Sequence, residues 1–139
     1  MSLLRVRLLS PYGTVYEGEA LSLLVPGEKG PTLLAPQSTS LQIKLDPAGI
    51  IVLQTANGKL HFASFSGFAS VKGGEAVVAC PLLEKGEDID AARAFESKRR
   101  AEERLRLKQE GIDLARARAS LGRALIRLEA KHLSAGGGK

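Results

Sequence analysis

Apolar and charged positions alternate over Leu4-Arg5-Val6-Arg7-Leu8, the period-two pattern of a strand with one buried face. Runs of similar length follow at Thr14 to Glu19, Ala20 to Val25, Ile50 to Thr55, Lys59 to Ser64, Phe68 to Val71 and Glu75 to Cys80, each bounded by turn residues. Asn57-Gly58 lies between two such runs and is a two-residue hairpin signal, because both residues tolerate positive φ; Gly73-Gly74 is another. Many short strands joined by tight turns point to an antiparallel sandwich or barrel. The stretch from Lys29 to Asp46 has no such clear pairing.

The period changes near residue 86. Leu83-Glu84-Lys85-Gly86-Glu87-Asp88 reads as a polar turn, followed by a helix start. Asp90 stands in the N-cap position of a helix from about Ala91 to about Gln109, with Gly111 as its C′ residue. Asp113 repeats the capping role for a second helix, from about Leu114 to His132, and a two-residue break between them implies an antiparallel hairpin. Ala94, Ala101 and Leu105 share one stripe; Leu114, Ala117, Leu121, Ala124 and Leu128 share the other. Alanines let helices approach closely, yet each buries little area, so the expected seam is thin. Gly122 inside the second helix is read either as a point of close packing or as a bend. The organisation expected is therefore a β unit at 1–86, a helical unit at 87–133 and a disordered tail at 134–139, with three glycines.

Composition sharpens this division. All six prolines fall between Pro11 and Pro81, and 22 leucines and 18 alanines stand against 4% aromatics, so the core is aliphatic. Residues 1–86 carry seven Lys/Arg against six Asp/Glu, whereas 87–139 carry thirteen against nine. Arg93, Arg100 and Arg104 mark one basic helix face, and Arg116, Arg123, Arg127 and Lys131 another. Interleaved acidic residues, with Phe95 alone available for stacking, argue against a nucleic-acid partner. Cys80 ends an apolar run and reads as a small core residue, while His61 alternates on a strand and reads as a surface histidine. His132 lies in the last helical turn, where positive charge suits the dipole. One cysteine and two distant histidines leave no metal ligand set and no internal disulfide, consistent with a reducing compartment. No apolar run is long enough to span a bilayer, and MSLLRVRLLSPYG lacks an h-region with a cleavage site, so a soluble cytosolic product is expected. Neither a Walker-type glycine loop nor a nucleophile–base constellation is present, so no catalytic residue is assigned and the chain is read as non-enzymatic.

The junction Glu87-Asp88-Ile89-Asp90-Ala91-Ala92-Arg93-Ala94, placed between a β unit and a helical hairpin, resembles the ε subunit of F-type ATP synthases over nearly the whole chain. The opening Val6-Arg7-Leu8-Leu9-Ser10-Pro11-Tyr12-Gly13-Thr14-Val15-Tyr16 is similar to the family's first hairpin, and Ser66-Gly67-Phe68-Ala69-Ser70-Val71 to its Gly-Gly-Phe segment. The family's Gly-Ile-Leu-Pro-Gly-His-x-Pro-Leu stretch, which lies in the part the family uses against the rotor, is replaced by Gly30-Pro31-Thr32-Leu33-Leu34-Ala35-Pro36-Gln37-Ser38-Thr39-Ser40-Leu41. The resemblance implies a ten-stranded sandwich against the γ subunit and the c-ring. It also implies a hairpin that folds on the sandwich or extends into the α/β catalytic head to block ATP hydrolysis. The protein would then be peripheral to the cytoplasmic face of the bacterial plasma membrane, through its complex.

Two sets of residues follow from the resemblance. Basic side chains on the second helix face an acidic β-subunit segment in the family, and Arg116, Arg123 and Arg127 are their counterparts. Some members bind ATP through an Ile/Leu-Asp-x-x-Arg-Ala motif, present here as Ile89-Asp90-Ala91-Ala92-Arg93-Ala94, with Glu84, Arg100, Arg123 and Arg127 as supporting positions. ATP would be a regulatory ligand, with no cofactor required. The plainer reading leaves Asp90 as a helix cap and Arg93 in an ion pair. From a different class, a free-standing nucleotide sensor without a rotary partner is the alternative.

Overall fold

The computed structural model describes residues 2–107 and 113–136. Among them the strands are β1 (Leu4–Ser10), β2 (Gly13–Ala20), β3 (Ser22–Gly27), β4 (Gly30–Leu34), β5 (Leu41–Lys44), β6 (Gly49–Thr55), β7 (Gly58–Phe65), β8 (Phe68–Lys72), β9 (Glu75–Ala79) and β10 (Leu82–Lys85). A single 3₁₀ turn, Gly86–Asp88, leads into α1 (Ala91–Leu107) and α2 (Leu114–Ser134). The strands make two five-stranded sheets, ordered β2-β1-β9-β8-β5 and β10-β7-β6-β3-β4. All neighbours run antiparallel except β1 and β9, which pair in parallel from Arg5↔Glu75 to Leu9↔Ala79. The architecture is thus the expected sandwich followed by an antiparallel helical pair.

Side-chain alternation builds the core between the sheets. Leu4, Val6 and Leu8 turn inward from β1 while Arg5 and Arg7 face out. Leu23 and Val25 of β3, Ile51 and Leu53 of β6, Phe62 of β7 and Val78 of β9 meet them at essentially zero exposure. Burying a side chain of this size stabilises by about 1.5–3 kcal/mol, so the sandwich has a conventional aliphatic core. Cys80 belongs to it, as its place in the sequence suggests, and burial pushes its thiol up to about 11.

Three local expectations need correction. The stretch from Lys29 to Asp46 holds two strands: β4 folds back on β3, and β5 crosses to the edge of the other sheet beside β8. Leu82–Lys85 is an edge strand paired with β7, not a polar turn. Four residues with two charges carry too little period-two signal to be seen alone. At the β6–β7 hairpin the turn residues are Ala56 and Asn57, and only Gly58 takes positive φ, at 124°. Gly73 and Gly74, by contrast, both have positive φ between β8 and β9, as a primed two-residue turn requires.

The helices behave as their caps foretell. Asp90 Oδ1 accepts the Arg93 N–H, and Asp113 Oδ1 accepts the Arg116 N–H, each at 3.1 Å. Ala94 and Ala101 of α1 and Ala117 and Ala124 of α2 are buried along the seam. Gln109 and Gly111 lie outside the described residues. Ser134, assigned to the tail by sequence, is the last residue of α2; residues 137–139 lie outside the description. A Cβ at Gly122 would meet nothing within 4 Å, so close packing does not account for this glycine.

Candidate functional site

The helical pair lies on the sandwich, and β7 and β10 explain how. On β7, Leu60 and Phe62 face the core, so His61, Ala63 and Phe65 share the opposite face. Leu82 and Glu84 share that outer face on β10, because Leu83 points to the core. Ala130 and Ile126 of α2 pack there with Ile89, Ala63 and Phe65. α2 therefore carries two apolar stripes, one toward α1 and one toward the sheet. Gly86 makes the close approach possible: a Cβ there would lie 2.6 Å from the Ala130 carbonyl and 2.9 Å from that of His61, and would collide with Ser134 Oγ.

At this contact, Arg127 forms a bidentate pair with Glu84. Its Nε and Nη2 donate to Oε1 and Oε2, each at 2.9 Å. The side chains are 26% and 29% exposed, and the guanidinium lies 4.9 Å from the centre of the Phe65 ring. A planar cation between a carboxylate and an aromatic face is well matched on both sides. One turn on, Lys131 Nζ donates to the Glu87 carbonyl at 2.7 Å. The Lys85 ammonium, 2.8 Å from Glu87, holds that carboxyl below its usual range by hydrogen bonding.

Beside the pair opens a cleft of about 680 Å³, where Glu84, Asp90, Arg93 and Arg127 meet Lys85 and Asp88. Its formal charges balance, three of each sign. Ile89 and Ala94 also border it, but both are buried packing residues, at 6% and 5% exposure. Of the eight residues that the ATP motif singles out, six therefore come together. Arg100 and Arg123 do not reach this cleft. Arg100 lies 3.4 Å from Ser97 Oγ, and Arg123 lines a second cleft near the far end of the helices, with Arg104 and Arg116. The basic stripe read from α2 is thus divided between two places.

Sequence reasoning missed Phe65, Gly86 and Lys131 as parts of the contact. Lys131 stood in the basic stripe, but only the placement of β10 gives the stripe something to meet. His61 differs from a plain surface histidine. Its Nδ1 is buried without a hydrogen-bond partner, and desolvation, then the Lys59 charge, lowers its pKa from the usual histidine value. Among the described residues no three of His, Cys, Asp and Glu cluster as a metal site would need, and no helix is long and apolar enough to cross a membrane.

Comparison with known proteins places this arrangement. Residues 87–131 match the family model described as ATP synthase, Delta/Epsilon chain, long alpha-helix domain. The ATP synthase epsilon chain of Desulfitobacterium hafniense (strain Y51) is 34% identical over 126 residues, covering 90% of this chain and 93% of that one. That of Moorella thermoacetica is 30% identical over 130 residues, covering 94% and 97%. Among solved structures, a chain of the Euglena gracilis mitochondrial ATP synthase, in an assembly of OSCP, F1 and c-ring, superposes with a TM-score of 0.76 at 18% identity. It covers 94% of this chain and 81% of that one.

Proposed function

The chain belongs to the ATP synthase epsilon-chain family, and we propose that it works as a non-catalytic subunit of the central stalk whose helical pair regulates ATP hydrolysis. The sandwich joins the γ subunit and the c-ring, and exposed apolar side chains such as Tyr12 and Phe68 suit such contacts. Through these partners the protein is held peripherally at the cytoplasmic face of the membrane.

The observation that carries the regulatory reading is the junction itself. The helices rest on the sandwich and the turn that follows it through one small apolar cluster, the close approach at Gly86, the Arg127–Glu84 pair and the Lys131 hydrogen bond to the Glu87 carbonyl. Breaking so few contacts releases the pair without disturbing the sandwich core. Once released, Arg116, Arg123 and Arg127 present cations to the acidic segment of the β subunits in the α/β head, where charge sets register more than affinity. ATP is the regulatory ligand of the folded state, seated in the cleft of Glu84, Ile89, Asp90, Arg93, Ala94 and Arg127. Arg127 is already engaged by Glu84, so a triphosphate taking that guanidinium replaces the carboxylate with a more highly charged partner. Arg100 and Arg123 stand outside this seat. ATP favours the folded state only by its differential affinity for it.

Two measurements test this. Capture by purified γ subunit is expected for the stalk role, and its absence sinks that role. Calorimetric titration with ATP, with and without Mg²⁺, is expected to saturate for the natural chain and to weaken markedly in Arg93→Ala and Arg127→Ala. No heat at millimolar ATP would leave Asp90 a cap and Glu84 an ion-pair partner, with regulation confined to the catalytic head.

A further inference from the structure

We propose that the cleft between the end of α1 and the start of α2 is a seat for a phosphate-type oxyanion, which ties the two helices together. Arg104 of α1 and Arg116 and Arg123 of α2 line one opening of about 500 Å³, with Ser120 and Asp113. Among the described residues, three guanidiniums and one carboxylate line it. That carboxylate is already engaged, since Asp113 Oδ1 accepts the Arg116 backbone N–H. The first cleft, with balanced charge, has no such excess.

The excess is written into the helices. Arg99 and Arg106 each find a glutamate three residues earlier, at 2.6 Å. Within α1, Arg104 has only Arg100, Ala101 and Leu107 at those helical spacings, and within α2 Arg123 has Ala119, Ser120, Ile126 and Arg127. Among the described residues, none of the three cleft arginines makes an ion pair or a side-chain hydrogen bond. Nor does any described side-chain hydrogen bond or ion pair join α1 to α2, which touch through alanines. Like charges drawn together from both helices repel until a polyvalent anion stands between them.

Tetrahedral phosphate suits guanidinium forks, which grip two oxygens at once, and the Ser120 hydroxyl adds a donor. The remaining walls, Ala117 and Ala119, give nothing on which a nucleobase could stack or hydrogen-bond. The ligand is therefore inorganic phosphate or a phosphate chain rather than a nucleoside. Arg93 and Arg104 are eleven residues apart, about 16 Å along α1, so this seat is separate from the first cleft and stands whether or not ATP binds there.

The test is titration of the full chain with inorganic phosphate, tripolyphosphate and ATP at low ionic strength. Parallel titrations use Arg104→Ala/Arg116→Ala, Arg93→Ala and, as a control for general charge, Arg118→Ala. Circular dichroism checks that each variant is folded. Saturable tripolyphosphate binding is expected, tighter than that of phosphate. It should weaken about tenfold or more in the double variant, the loss of roughly one charged hydrogen bond, and persist in Arg93→Ala and Arg118→Ala. Equal binding by the double variant, equal weakening in Arg118→Ala, or no saturation at millimolar tripolyphosphate overturns the proposal. Loss confined to Arg93→Ala also overturns it, by assigning the anion to the first cleft. Failure of ATP alone bears only on that first cleft.

Discussion

The sandwich and the helical pair are held by side chains of different size. Between the sheets, Leu4, Leu8, Leu23, Leu34, Ile51, Leu53 and Phe62 are completely or almost completely enclosed. Between the helices the buried residues are Ala94, Ala101, Ala117 and Ala124, and α2 meets the sheet through Ala130, Ile89 and Phe65. A methyl group in a seam contributes about 0.8 kcal/mol, a fraction of what an enclosed leucine does. The helices owe their form to their own caps and periodicity, and their position to a few contacts. A chain divided in this way can move one part while the other stays folded, as the regulatory role proposed for the helices requires.

The largest effect should come from breaking the stronger side. Phe62 is fully enclosed, with Tyr16 edge-on at 6.2 Å between ring centroids. Phe62→Ala is expected to cost about 3–5 kcal/mol, by lost transfer energy and the cavity left behind. Denaturant unfolding should show it as a marked fall in midpoint. A fall no larger than that of Ala101→Gly would erase the distinction between the two regions.

A smaller change should separate them. Gly86→Ala puts a methyl group where the Ala130 and His61 carbonyls and Ser134 already crowd. Such overpacking costs about 1–3 kcal/mol, and the cheapest relief is to lift α2 from the sheet. Hydrogen exchange should speed up in α1 and α2 and stay unchanged in β1, β3 and β6. Equal loss of protection in both regions would mean that the helices and sandwich unfold as one cooperative unit.

How far the sequence foretold this differs between the regions for the same reason. Alternation in Leu4 to Leu8 and capping at Asp90 and Asp113 are local signals, and the structure follows them. Contacts between distant segments are not local. Glu84 has a partner only because β10 pairs with β7 and so turns the carboxylate to the face that α2 covers. Arg123 and Arg127, four residues apart, looked like one stripe, yet Arg127 borders the first cleft and Arg123 the second. The resemblance named the motif residues, and six of them meet, but it could not show that Glu84 and Arg127 satisfy one another. Gly86 had a signal of its own, a glycine between a strand and a helix start, readable only as a turn until α2 is seen lying over it.

The smallest expected effect sits on the boundary between the two regions. His61 lies on the β7 face that carries Ala63 and Phe65, with Nδ1 enclosed and unpartnered. Desolvation first and the Lys59 charge second hold its folded pKa below the usual histidine value of 6.5. The folded state therefore binds the proton less readily than the unfolded chain does. Stability is full above the unfolded value and declines as pH falls through 6.5 toward the lower folded value, then levels off. Thermal unfolding of the natural chain should shift downward over that window, and His61→Asn should flatten the shift. The same histidine also reports the position of the helices. If their cover supplies the desolvation, Gly86→Ala should move its NMR titration midpoint back toward 6.5. An unmoved midpoint, alongside faster helix exchange, would mean that the sandwich alone enshrouds the ring, and that lifting the helices leaves the sheet surface electrostatically as it was.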